Sequence, residues 1–97
     1  MNDQMITGIR IAIVADLEAG QPSRRATDEA LSHGADALRL LVRAEWIPTQ
    51  TLQTDAGSIK LEQYDGVFSP GGLYKSMNGA LEAIRFARQR GRPFLAT

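Results

Sequence analysis

The sequence predicts an α/β domain in which helices cover both faces of a parallel sheet. Short apolar segments, often β-branched, alternate along the chain with longer segments whose apolar residues recur at helical spacing. The connections between successive strands are long enough to be crossovers, which join parallel strands. The last predicted strand is followed by no helix, although parallel strands are normally covered on both faces. We therefore expect residues 1–97 to be the N-terminal part of a single domain that is incomplete at its C-terminal side.

The first half of the chain is predicted to form a strand, a helix and a second strand. Ile9 to Ala15 is β-branched and almost wholly apolar, as expected of a strand buried on both faces. After a loop, Ser23 is a predicted N-cap, and apolar residues recur at helical spacing as far as Val42, over about five turns. Residues 44–49 are predicted to form the second strand, which Pro48 brings to an end.

The second half repeats the alternation. Residues 50–63 are predicted to be a connector with a turn at residues 55–57, and Tyr64 to Ser69 to be the third strand. Apolar residues from Met77 to Ala87 predict an amphipathic helix, which Gly91 and Pro93 end. Residues 94–96 then form the fourth predicted strand.

Composition excludes several classes of function. Lys and Arg together number 11, as do Asp and Glu, so no basic surface predicts a nucleic-acid partner. The chain has no cysteine, which excludes a disulfide, a cysteine metal site and a cysteine nucleophile within these residues. No apolar stretch approaches the roughly 20 residues of a membrane span, and the N-terminus lacks a signal-peptide pattern. We expect a cytoplasmic protein with no membrane partner, no metal and no cofactor.

The motif with most chemical content is a strand that runs into Pro70, Gly71 and Gly72. We refer to residues 70–73 as the glycine turn. Paired glycines permit a tight turn and remove the Cβ atoms that would block a substrate, so that backbone amides can face a developing negative charge. As a bare tripeptide, Pro-Gly-Gly is more often only a turn that ends a strand.

The sequence around the glycine turn resembles the class I glutamine amidotransferase domains, and in particular their CTP synthase-like branch. Six segments carry the resemblance, which covers nearly the whole chain: residues 9–14, 29–34, 45–47, 64–72, 83–88 and 93–95. It implies a flavodoxin-like fold in which a three-layer arrangement encloses the parallel sheet.

The resemblance also implies a function in pyrimidine biosynthesis. In this family a cysteine attacks the side-chain amide of glutamine and ammonia is released. Gly71, Gly72 and Leu73 correspond to the oxyanion and substrate-binding turn, and glutamine or a related small amide is the implied ligand. The cysteine is expected immediately after Thr97, and the family's His and Glu lie further on. No member of this triad lies within the chain, so whether the chain is an enzyme stays open.

Two alternatives remain beside the glutaminase interpretation. Residues 73–78 depart from the family pattern, and Tyr74 would place a bulky ring where the family keeps the loop open. The chain can therefore also be a non-catalytic amidotransferase-like domain that serves binding or assembly, through self-association or with a missing C-terminal half. The second alternative is the intracellular-protease-like branch, in which a glutamate near the first loop faces the cysteine.

Three further side chains could take part in chemistry. Asp16 and Glu18 follow the first predicted strand, at the carboxyl end of the sheet where α/β sites form. Glu18 is the candidate for the loop acid of the intracellular-protease-like branch, although a solvated carboxylate is the commoner role at such a position. His33 lies within the first predicted helix, remote from the glycine turn, and we expect it to be a surface or partly buried histidine.

Overall fold

The structure is a computed structural model that describes residues 8–18, 20–53, 55–70 and 74–96. The strands are β1 (Gly8–Val14), β2 (Leu41–Ile47), β3 (Gly66–Ser69) and β4 (Phe94–Ala96). The α-helices are α1 (Pro22–Leu38), α2 (Asp55–Leu61) and α3 (Met77–Arg90), and a short 3₁₀ helix spans Thr49–Leu52. The four strands form one sheet in the order β2-β1-β3-β4, and each pair of neighbouring strands is parallel. The predicted α/β class with a parallel sheet is thus confirmed.

The two faces of the sheet carry different helices. Neighbouring residues of a strand point to opposite faces, and Phe68 lies on the face of α1 whereas Ser69 lies on the face of α3. The face of α3 holds the hydrophobic core. Val14, Val67 and Phe86 belong to this core, which α2 completes through Leu61.

The helix α1 is held far less tightly than α3. None of its residues is buried, whereas α3 buries five: Gly79, Ala80, Ala83, Phe86 and Ala87. α1 packs mainly against β2. An apolar groove of about 560 Å³ therefore lies between α1 and the β3–β4 half of the sheet, where Leu95 remains 61% exposed.

The predicted bounds of the first helix were wrong at both ends. α1 ends at Leu38, and Arg39 follows in the left-handed region with φ 56°. Leu41 and Val42 belong to β2, because they pair with Gly8 and Ile9 along β1. At the other end the N-cap is Gln21 and not Ser23, since the proline at position 22 occupies the first turn, where its missing N–H costs nothing.

The segment predicted as a connector is largely helical. Where a turn was expected at residues 55–57, the structure has α2, preceded by the 3₁₀ helix. The strand after it begins at Gly66, two residues later than predicted. Tyr64 is instead a buried core residue whose amide donates to the carbonyl of Leu61, in the turn that ends α2.

Candidate functional site

The strands β1, β3 and β4 end together at the carboxyl end of the sheet. Ser69, the last residue of β3, is in register with Ala96 of β4. Its hydroxyl donates to the carbonyl of Val14 at the end of β1 over 3.4 Å. The carboxyl ends of β3 and β4 therefore lie side by side, as a site shared between two strand ends requires.

The sequence-predicted site residues follow these strand ends directly. Gly71, Gly72 and Leu73 come after β3, and Thr97 comes after β4. All four lie outside the described residues, so their roles stay predictions. The structure does describe the residues on either side of the glycine turn, namely Ser69 before it and Tyr74 after it.

A hydrogen-bonded cluster lies where the chain emerges from the glycine turn. We call it the Asp16 cluster, after the carboxylate at its centre; its other members are Thr49, Lys75 and Ser76. Asp16 accepts from the amide of Thr49 at 3.0 Å, from the hydroxyl of Thr49 at 2.7 Å and from the amide of Lys75 at 2.8 Å. The hydroxyl of Thr49 in turn accepts from the amide of Ser76 at 2.9 Å. One carboxylate thus joins the end of β1 to the chain after β2 and to the chain after β3.

The surroundings of Asp16 favour its ionised form. Burial alone would raise the pKa of this carboxyl. The hydrogen bonds from the Thr49 hydroxyl and from the amides of Lys75 and Thr49, helped by the charge of Lys75, outweigh burial and hold its pKa below the ordinary value of 3.8. Asp16 is therefore a charged acceptor at neutral pH and not a proton donor.

Tyr74 lies against the end of β3. The side chain is half-buried, and its hydroxyl is hydrogen-bonded to that of Ser69. A small apolar cavity of about 90 Å³ adjoins it, between α3 and the ends of the strands. The bulky ring predicted after the glycine turn thus packs at the carboxyl end of the sheet.

Glu18 lies in a different part of this end of the molecule. Its side chain is exposed, and it lines a cleft of about 550 Å³ together with Asp16, Arg24, Trp46 and Lys75. Of the described residues that line this cleft, none belongs to β3 or β4. The role of Glu18 as a loop acid stays a prediction. His33 is exposed on α1.

A second polar cluster joins β1, β2 and Tyr64. The Arg10 guanidinium and the Tyr64 hydroxyl both donate to Glu45, at 2.8 and 2.7 Å. The hydrogen bond from Tyr64 and then that from Arg10 lower the pKa of Glu45 below its ordinary value, while burial and the same hydrogen bond raise the pKa of Tyr64 to about 12. Arg10 also lies over the Tyr64 ring, 5.0 Å from its centroid. These contacts hold the sheet to the chain that follows α2.

Sequence reasoning found some of these residues and missed others. Asp16 was expected at the carboxyl end of the sheet because it follows a buried strand. Thr49 and Ser76 were missed. Thr49 belongs to no recognisable sequence motif. A Ser directly before a helix is a recognisable N-cap pattern, and the Ser76 hydroxyl indeed accepts from the amide of Gly79 at 3.0 Å.

The described part of the chain holds neither a membrane-spanning helix nor a group of side chains that could bind a metal ion. No helix there is both long enough and apolar enough to cross a membrane. Within the same residues, no group of three or more His, Asp or Glu side chains could hold a metal ion.

The sequence is similar to CTP synthases over most of its length. It is 34% identical to the CTP synthase of Acidiphilium cryptum and 33% identical to that of Paracoccus denitrificans, in each case over 88 residues. These matches cover 90% of the chain but only 16% of the relatives' length. No protein-family model matches the chain.

Solved structures share the fold. The glutaminase domain of Trypanosoma brucei CTPS, with bound acivicin, superposes with a TM-score of 0.78 at 22% identity, over 91% of this chain and 35% of that one. The lactose-specific IIB component of the Streptococcus pneumoniae phosphotransferase system gives a TM-score of 0.56 at 16% identity, over 94% of this chain and 77% of that one.

In fold and in sequence the chain is thus similar to part of a CTP synthase-like glutamine amidotransferase domain. The curated relatives are CTP synthases, and the fold is that of the glutaminase domain of a CTP synthase. The chain spans about one sixth of the length of these relatives, 16%.

Proposed function

We propose that this chain forms the oxyanion side of a site that hydrolyses the side-chain amide of glutamine. The relation to CTP synthases over 90% of the chain is the observation that carries the proposal. The register of Ser69 with Ala96 supports it, because it places the carboxyl ends of β3 and β4 side by side.

The proposed chemistry is an acyl transfer to sulfur. A thiolate attacks the amide carbon of glutamine, a carbon–sulfur bond forms, and the carbonyl oxygen becomes an oxyanion. Backbone amides of the glycine turn would donate to that oxygen at about 2.7–3.1 Å. The intermediate then expels the nitrogen, which takes up a proton and leaves as ammonia. Water hydrolyses the resulting thioester to glutamate and restores the thiol.

In this proposal the thiol comes from residues outside these 97, because the chain contains no cysteine. The purified chain should therefore release no ammonia from glutamine above the rate in buffer. Ammonia release that follows the amount of sequence-verified chain would contradict both the proposed mechanism and the assignment of the thiol.

A chimera tests the role of the glycine turn. Residues 8–96 of this chain would replace the matching segment in the Trypanosoma brucei glutaminase domain, which supplies the rest of the site. We expect the chimera to hydrolyse glutamine, and Gly72→Val to lower kcat by about 10²–10³-fold because one oxyanion donor is lost or displaced. Gly34→Val, on an exposed turn of α1 with no atom near its Cβ position, is the matched control. A folded chimera whose turnover is unchanged by Gly72→Val would overturn the assignment.

The position of Tyr74 favours a second candidate function, a non-catalytic amidotransferase-like domain that serves binding or assembly. Its ring packs against Ser69 at the end of β3, beside the proposed substrate site. If the ring excludes glutamine, Tyr74→Gly should raise hydrolysis by the chimera and Tyr74→Phe, which keeps the ring, should not. Efficient hydrolysis with Tyr74 in place would eliminate this candidate.

A further inference from the structure

The strand β2 forms a long edge of the described sheet. It stands first in the strand order and pairs with β1 along all 7 of its residues. No other described strand pairs with it, and β4 at the opposite edge has only 3 residues. Proline and β-bulges commonly keep a sheet edge from pairing with another chain, and β2 contains neither. Its outer edge can therefore accept a further strand.

The backbone groups that face this outer edge follow from one hydrogen bond. The amide of Ala15 donates to the carbonyl of Ile47 at 3.2 Å, so the backbone groups of Ile47 face β1. Along a strand, the N–H and C=O groups of successive residues point alternately to its two sides. The backbone groups of Val42, Ala44 and Trp46 consequently point away from β1, towards the outer edge.

A second copy of β2 matches these groups when it runs antiparallel about a two-fold axis at Ala44. Ala44 then lies opposite its own copy, and Val42 lies opposite Trp46 of the second copy. Each such pair exchanges two N–H···O bonds, so every outward N–H and C=O of residues 42–46 finds a partner. An axis nearer either end of β2 would leave the outward groups of the other end unpaired. The contact is closed, because a two-fold axis uses the same surface on both copies.

The charged side chains of β2 select the same register. With the axis at Ala44, Arg43 lies opposite Glu45 of the second copy, in a pair without backbone hydrogen bonds, where side chains come closest. Opposite charges at such positions stabilise a sheet. An axis at Arg43 would set two arginines against each other, and an axis at Glu45 two glutamates. Both side chains are exposed, and no carboxylate of the described residues forms an ion pair with Arg43.

We propose that this chain forms a two-fold dimer in which the β2 strands of two copies pair antiparallel about Ala44. The two 4-stranded sheets then become one continuous sheet. Glu45 lies between Arg10 of its own chain, which donates to it at 2.8 Å, and Arg43 of the second copy. The inference is independent of the proposed function, since β2 and β3 flank β1 on opposite sides and the proposed site adjoins the ends of β3 and β4.

Amide hydrogen exchange of the unaltered 97-residue chain tests the contact, with sedimentation equilibrium to measure the mass at each concentration. On dilution from dimer to monomer, exchange at Val42, Ala44 and Trp46 should accelerate about tenfold or more, the factor that loss of one hydrogen bond implies. The amides of Arg43 and Glu45, which face β1, should change far less. A chain that stays monomeric at about 1 mM would overturn the proposal. So would a dimer whose three outward amides exchange as fast as in the monomer.

Two charge reversals test the register. Arg43→Glu sets two carboxylates against each other across the axis and should raise the dissociation constant of the dimer about tenfold or more, because the axis repeats the repulsion. Glu45→Arg should weaken the dimer in the same way. Mixed in equal amounts, the two variants should form a heterodimer about as tight as the unaltered dimer, since every facing pair again has opposite charges. Arg88→Glu, the same reversal at an exposed position of α3, is the control and should change nothing.

A third variant covers the case in which Glu45→Arg does not fold, because Glu45 also accepts from Arg10 and Tyr64. Ala44→Pro removes an outward N–H but no hydrogen bond to β1, and proline is tolerated in edge strands at such positions. It should abolish the dimer while circular dichroism shows a folded chain. A folded Ala44→Pro that still dimerises, or a mixture of the two charge variants that associates no more tightly than either alone, would overturn the proposed pairing.

Discussion

At Gly79 the first turn of α3 lies directly against the backbone of Thr49, in the 3₁₀ helix after β2. A Cβ atom built there would lie 1.8 Å from the carbonyl oxygen of Thr49 and 2.7 Å from its carbonyl carbon. Both are backbone atoms, so no side chain can turn away to make room. The absence of a side chain at Gly79 is what lets the first turn of α3 lie on Thr49 and complete the Asp16 cluster.

Gly79→Ala should consequently destabilise the protein. Overpacking against backbone costs typically about 1–3 kcal/mol, and the distances at Gly79 place this substitution at the upper end. Urea unfolding followed by circular dichroism measures the change. Gly34→Ala is the matched control, because Gly34 is also helical and its Cβ position has no atom within 4 Å. That substitution should stabilise by about 0.5–1 kcal/mol. Equal effects of the two substitutions would contradict the close approach at Thr49.

How much of the candidate site could be predicted differs from residue to residue. Asp16 could be placed at the carboxyl end of the sheet because it follows a buried strand. The same reasoning predicts the glycine turn at that end, and for residues 71–73 this stays a prediction. The hydrogen bonds of Asp16 with Thr49 and Lys75 could not be predicted, since these residues are 33 and 59 positions away in sequence. Such contacts depend on the strand order, which local patterns do not determine.

Among the elements, α1 shows why a helix end can be missed. The helical spacing of apolar residues continues into Leu41 and Val42, but these two residues pair with β1 and belong to the strand β2. The usual mark of a helix end is a glycine in the left-handed region, as Gly91 provides for α3 at φ 66°. At the end of α1 this position is held by Arg39, at φ 56°. A prediction that takes glycine as the mark of a helix end therefore extends α1 beyond its true end at Leu38.

Arg39→Gly should stabilise the protein by about 1 kcal/mol, because a left-handed conformation costs a residue with a Cβ roughly 1–2 kcal/mol and costs glycine little. Thermal and urea unfolding would both report it. The reciprocal change, Gly91→Ala at the end of α3, should destabilise by a similar amount. Arg88→Gly, at an exposed position inside α3, serves as the control and should cost about 1 kcal/mol. A loss of stability in Arg39→Gly would show that α1 does not end in this cap.

At the scale of the whole molecule, the parallel sheet was predictable and its unequal covering was not. Long connections predict parallel strands whatever their order. α3 and α2 bury one face of the sheet, whereas α1 leaves the groove beside Leu95 open on the other. This difference follows from where each helix lies across the sheet. The apolar faces of the two predicted helices gave no indication of this difference, because both have helical spacing.

The stability of the whole molecule should depend on pH at both ends of the range. Asp16 and Glu45 have pKa values below their ordinary values of 3.8 and 4.5, so their contribution is complete above those values and is lost as the pH falls through the lower folded-state values. Tyr64 behaves in the opposite sense. Its pKa is raised from 10.0 to about 12, so its contribution is complete below pH 10.0 and is lost as the pH rises towards 12.

We therefore expect the free energy of unfolding to be nearly constant between pH about 5 and about 9 and to fall on either side. Urea unfolding at a series of pH values measures this curve. Tyr64→Phe should flatten the alkaline fall, because the group that loses its proton is gone, and should leave the acid fall that arises from Asp16. Asp16→Asn should lessen the acid fall, leaving the part that arises from Glu45, and should leave the alkaline fall unchanged. An alkaline fall of unchanged size in Tyr64→Phe would mean that the hydrogen bond from Tyr64 to Glu45 does not link folding to pH.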